Sequence, residues 1–300
     1  MAVYKKTYRP YTGEMTASWS RLFVIPRYAF EDLHRSRFLT VFFLASFIYP
    51  LVCAIIIYVQ HNVSALNLIN AQGAQRLISI NVTFFMTLLG WQSMMGLFMA
   101  SFIGPGQISP DLSNNALSLY LSRPFSRLEY VLGKMTVLVI LLSLMTWVPG
   151  LLLFGLESYL EGWSWATSHA RIAAGLFFGG WVWIILLSLL ALALSAWVKW
   201  KPAAGALMFG VFFVAAAFGA VINGVQRTHW GHLFNISYLV GSVWVWLFEG
   251  NNATTNGAVF FRAPQGEEIP LWCSWGGLIG LGLICSYMLA RKIRGMEVVR

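Results

Sequence analysis

The sequence is 300 residues long, 58% hydrophobic and 10% charged, with a net charge of +9 and a mean hydropathy of +0.67. Soluble domains carry about 25% charged residues, so the composition argues against a water-soluble enzyme. The basic residues are spread along several apolar boundaries, which fits attraction to anionic lipid and argues against nucleic-acid binding.

The first 38 residues are polar and basic for too long to read as a cleaved signal peptide. Within them Pro26 starts "RYAFEDLHRSRF", where Phe30 and Leu33 alternate at helical spacing with Glu31, Asp32, Arg35 and Arg37. Proline suits the first position of a helix, and an apolar face opposite a charged one predicts a helix lying in the membrane interface.

Crossing the hydrocarbon core takes about 20 apolar residues in a helix. Such runs occur at Leu39–Gln60, Ile78–Phe102, Val131–Leu156, Ile172–Val198, Ala203–Asn223 and Leu271–Ala290. The predicted fold is an all-α polytopic membrane protein with six spans and no strand pattern of a barrel. Residues 1–38 form the N-terminal segment, 39–290 the six-span domain and 291–300 a basic tail.

Between the second and third runs lies "DLSNNALSLYLSRPFSRLEYVLGK", residues 111–134. Asp111, Arg123, Arg127 and Lys134 would each cost about 2.5–3.5 kcal/mol at a bilayer centre, so the segment belongs outside the core. Ser109-Pro110-Asp111 predicts a helix start, with Ser as cap, Pro at the first position and an acid at the positive end of the dipole. Leu112, Ala116, Leu119 and Tyr120 then share one face. Arg123-Pro124 ends that helix. Ser126-Arg127-Leu128-Glu129 is a capping box opening the next one.

The segment after the fifth run, 224–270, contains Leu233–Phe248, which is apolar but short for a span. It is expected as a re-entrant or interfacial element, rich in Trp and Tyr. Six crossings put both ends on one side. Of the 20 Lys and Arg, only Arg76, Arg171, Arg227 and Arg262 then fall opposite, so both termini are expected in the cytoplasm.

Motifs for catalysis are lacking: no H-E-x-x-H, no G-x-S-x-G, and no paired carboxylates within the spans. "GKMT" at Gly133–Thr136 resembles a P-loop ending, but Leu128 stands where the first Gly belongs and Met135 where the hydroxyl belongs. Cys53, Cys273 and Cys285 have no metal spacing and read as small buried hydrophobes. His229 and His232 could share a metal but have no third ligand in view. The spans are almost free of ionisable groups, with Asn81 and Gln92 unable to titrate and Glu157 at an end. Ion coupling is therefore disfavoured, and a soluble partner touching 107–121 is the economical energy source.

These features together resemble the permease subunits of ABC-2 family exporters. The likeness covers essentially the whole chain, and its most specific part is "SRPFSRLEYVLGK" leading into the third span, with "RKIRGMEVV" after the sixth. The resemblance implies that the lead-in, with Phe30, Glu31, Leu33, Arg35 and Arg37, is a connecting helix. It implies that Gln107–Leu121 is a coupling helix, with Asp111, Leu112, Ala116, Leu119 and Tyr120 toward a cytosolic ATPase and Arg123, Arg127 and Glu129 flanking it. It also implies a bacterial inner-membrane location, a second permease as partner, and ATP with magnesium held on the ATPase, none on this chain. Trp91, Trp147, Trp181 and Trp183 would suit an amphiphilic cargo. An ATP-independent transporter or channel, or a non-transporting membrane anchor, are the alternatives.

Overall fold

The computed structural model describes residues 28, 36–62, 79–114, 127–250 and 269–293. All elements among them are helical, and six helical segments are long and apolar enough to cross a membrane. The first is α1 (Arg37–Ala45) followed by α2 (Ile48–His61), and the second is α3 (Val82–Ile103) with α4 (Pro105–Ser113). The third joins α5 (Arg127–Met145) to α6 (Trp147–Glu161), after which α7 (Trp163–Ser168) leads to the fourth, α8 (Ala170–Trp197). The fifth is α9 (Lys201–Gln226). A 3-10 turn, Trp230–Phe234, and α10 (Ile236–Glu249) separate it from the sixth, α11 (Leu271–Lys292).

The breaks inside spans follow from proline, which has no N–H and crowds the carbonyl four residues back. Pro50 lies in the first turn of α2 and Pro149 in that of α6. Hydroxyls beside each break bond back into the preceding turn: Ser46 Oγ donates to the Phe43 carbonyl at 2.6 Å and Thr146 Oγ1 to that of Leu142 at 2.8 Å. Of the expected connecting helix, Phe30, Glu31, Leu33 and Arg35 lie outside the described residues. Arg37 opens α1, whose cap is Ser36, its Oγ accepting the Leu39 N–H at 3.5 Å.

α8 is the axis of the bundle. Two thirds of its most apolar stretch (67%) is buried within the chain, against 22% for the first and fifth spans. Its Trp183 is buried and donates its indole N–H to the Ser93 carbonyl at 3.1 Å. Gly175 and Gly179 on α8 leave room for Phe248 and Trp244 of α10: a Cβ at those positions would sit 2.7 Å and 3.0 Å from the rings. Trp244 also donates to the Gly179 carbonyl at 2.9 Å. A buried indole without such an acceptor would lose about 1–3 kcal/mol, so these bonds fix the rotation of α10 on α8. The three cysteines are free and buried, as expected of small hydrophobes.

Contacts also sort the helix ends. The Phe38 and Phe102 rings meet at 5.2 Å, Ser109 reaches Lys199, Lys134 pairs with Asp111, and Lys292 lies 5.3 Å over the Trp197 ring. One end of the bundle therefore carries Arg37, Arg127, Lys134, Lys199, Lys201, Arg291 and Lys292. Among the described residues the other end carries Arg171 and Arg227. We call these the lysine end and the Arg171 end.

Candidate functional site

The second span is interrupted at Gly104, between α3 and α4. Pro105 removes the backbone donor after Gly104, and the chain restarts at once as α4. Space at this junction is set by two glycines. A Cβ on Gly104 would lie 2.6 Å from both the Ala100 carbonyl and Ala191 Cβ, and one on Gly205 would lie 2.7 Å from the Ser101 carbonyl. α4 is thereby wedged between the fourth and fifth spans.

Hydrogen bonds then lock it. Ser195 Oγ on α8 accepts the Ile108 and Ser109 N–H groups at 3.0 and 3.1 Å and donates to the Pro105 carbonyl at 2.9 Å. One hydroxyl has one donor and two acceptor sites, so Ser195 is saturated. Ser109 Oγ donates to the Lys199 carbonyl at 2.7 Å, just past the end of α8. Asp111 on the next turn accepts from the Tyr130 hydroxyl at 2.7 Å and pairs with Lys134 at 2.9 Å, and the ammonium lies 5.8 Å from the Tyr130 ring centre. α4 is thus tied to the third span by an ion pair and a hydrogen bond, to α8 by three hydrogen bonds, and to Lys199 just beyond α8 by a fourth.

This corrects the helix start expected at Ser109-Pro110. The helix begins at Pro105, Pro110 lies inside it, and Ser109 is buried in its interior without capping it. Tertiary contact overrode the local signal, because the Ser109 N–H and hydroxyl both find partners on and beside α8. The Gly104-Pro105 step was the true start signal in the sequence. Leu112 is half-buried against the core, and Asp111 is engaged within the chain. Arg127 is exposed, and Glu129 stands in the first turn of α5, where an acid favours the helix dipole. Ala116, Leu119, Tyr120 and Arg123 lie outside the described residues.

Two further features lie away from α4. A cavity of about 420 Å³ is lined by Trp91, Met94, Trp183, Phe212, Asn235 and Ser237, among others. Of the expected aromatic set, Trp91 and Trp183 thus share one space, whereas Trp147 packs edge-on to Phe177 at 5.2 Å and Phe177 meets Trp181 at 6.2 Å. At the Arg171 end, His61 comes together with Glu157 and Glu161. Sequence reading placed Glu157 at a span end but missed this grouping, because His61 lies on another span. The Glu157/Glu161 spacing, which puts both on one helix face, was the available signal. His229 and His232 do not join such a group among the described residues, and His232 stacks on Tyr238 at 4.4 Å.

The described residues thus combine six apolar helices long enough to span a membrane with a polar helix fastened to the third and fourth of them at the lysine end. No protein-family model matches the chain, and no curated protein matches it.

Proposed function

We propose that this chain is the membrane-spanning permease subunit of an ATP-driven exporter of the ABC-2 kind, working with a separate cytosolic ATPase and a second permease. The observation that carries the reading is the fastening of α4. A force on the 107–121 segment would pass through Ser195 and Lys199 directly into α8, the most buried span. A connector has no need of such a lever. ATP-driven closure of the ATPases would move this lever and bias the spans between two accesses. ATP and magnesium belong to the partner chain.

In this reading the lysine end faces the cytoplasm of a bacterial inner membrane, in line with its basic residues. Residues 228–250 form a re-entrant element entering from the opposite side. Its contacts support that path. Gly231 meets Gly219 of α9, the Phe234 ring meets Phe218 at 5.5 Å, and Asn235 and Ser237 line the cavity with Trp183, midway along α8. α10 then returns alongside α8 until Arg171 donates to the Leu247 and Trp246 carbonyls at 3.1 and 3.0 Å. With 14 residues it spans about 21 Å, short of the roughly 30 Å hydrocarbon core. The aromatic cavity would take part of an amphiphilic cargo, and the exposed faces of the first and fifth spans would meet lipid or the second permease.

The test is co-purification with a candidate cytosolic ABC ATPase co-expressed with this chain, at equal membrane abundance. Leu119→Asp and Tyr120→Asp should lose the ATPase, since a charge forced unpaired into an interface costs several kcal/mol. Ser126→Ala should remove only a helix cap, about 1 kcal/mol, and keep the partner. Retention of ATPase and transport by both Asp variants refutes the lever. Flux in proteoliposomes containing no ATPase would favour a secondary transporter or channel instead.

A further inference from the structure

At the Arg171 end, the last residue of α2 meets the last turns of α6. His61 Nε2 lies 3.3 Å from Glu161 Oε1, and His61 Nδ1 lies 3.9 Å from Glu157 Oε2. The three donor atoms fall within 4.8 Å of one another. Glu157 is 2% exposed, and its Oε2 points into the group without a hydrogen-bond partner. A buried carboxylate oxygen with no donor is costly, and among the described residues no hydrogen bond reaches it. The group is built for something that brings positive charge.

We propose that His61, Glu157 and Glu161 bind a first-row divalent transition-metal cation of the zinc class, clamping the first span to the third. The imidazole is oriented for it. With its proton on Nδ1, His61 donates to the Ile57 carbonyl one turn back, at 3.0 Å, which leaves the Nε2 lone pair toward Glu161. A metal-binding histidine ordinarily gives its other N–H to such an oxygen. One nitrogen with two carboxylates suits zinc, whereas calcium and magnesium take oxygen alone. Metal–ligand bonds of about 2.0–2.2 Å require the donors to draw in by roughly an ångström. Glu161, whose side chain is half exposed, has the freedom to do so.

Three protein donors leave a fourth position for water. The site also has a mechanical consequence. The first span is largely uncovered by the rest of the chain, and a cation held between His61 and α6 would pin its end. This role is independent of the transport reading, since it needs only the juxtaposition of α2 and α6.

Full-length protein in detergent, with any affinity tag removed, is dialysed against zinc chloride or calcium chloride, and bound metal is counted by mass spectrometry. The parent should retain a single zinc ion per chain and no calcium, and zinc should raise its thermal midpoint. His61→Ala and Glu161→Gln should each lose the ion and the midpoint shift, while His229→Ala keeps both. Because Glu161 is at the surface, Glu161→Gln should match the parent midpoint in metal-free buffer, so loss of zinc cannot be ascribed to unfolding. Absence of zinc from the parent, equal retention by Glu161→Gln and His61→Ala, or calcium binding as well as zinc would each overturn the site.

Discussion

The two ends of the third span hold polar clusters of opposite character. At the lysine end, Asp111, Tyr130, Lys134, Ser109 and Ser195 satisfy one another with hydrogen bonds of 2.7–3.1 Å. At the Arg171 end, Glu157 is buried like the core around it, yet one of its carboxylate oxygens has no hydrogen bond. A matched network fixes geometry, because each member loses energy if it moves. An unmatched one stores a cost that a ligand can relieve. One region is fixed by its own bonds, and the other leaves a buried carboxylate oxygen open to a ligand.

Breaking the matched end should have the largest effect. Asp111→Ala leaves the Lys134 ammonium, 13% exposed, without its counter-ion. Removing one partner of a fully buried pair costs about 3–5 kcal/mol; this pair is only partly buried, so we expect a loss at or just below that lower limit in denaturant titrations of the detergent-solubilised protein. Ser195→Ala comes next: it strands the Ile108 and Ser109 N–H groups and should cost about 1–3 kcal/mol. An unchanged unfolding midpoint in either variant would mean that α4 is not held as described.

A double-mutant cycle sharpens the contrast. Asp111→Ala combined with Lys134→Met should cost less than the sum of the two single changes by about 1–2 kcal/mol, as expected of directly contacting residues. Strict additivity would show that the pair is not coupled. The smallest effect is expected at the other end. In metal-free buffer Glu161→Gln should fall within about 0.5 kcal/mol of the parent, because its side chain is half exposed and its His61 contact is screened by solvent. A large destabilisation there would show that the Arg171 end is a matched network as well.

Much of the fold was legible because apolar run length maps directly onto bilayer thickness. The six runs match the six apolar helices, with Val82–Ser113 and Arg127–Glu161 extended beyond their apolar runs by α4 and by the first turns of α5. What the sequence did not show is that the helix expected from Ser109 is joined to the second span: Ser109 and Asp111 look solvated in sequence but are held by Ser195, Lys199, Tyr130 and Lys134. Ile236–Glu249 is shorter than the six apolar helices, as the length of the Leu233–Phe248 run implied, whereas its docking through Trp244 on Gly179 depends on partners 65 residues away.

The sequence by itself determined how many helices are long and apolar enough to cross, and on which end the lysines gather, because both depend on local composition. Tertiary structure decided that Ser109 lies inside a helix begun at Pro105 and does not cap one begun at Pro110, since its N–H and hydroxyl find partners on Ser195 and Lys199. It also decided that His61 stands beside Glu157 and Glu161. That meeting is long-range in sequence and short in space, and only the packing of α2 against α6 creates it.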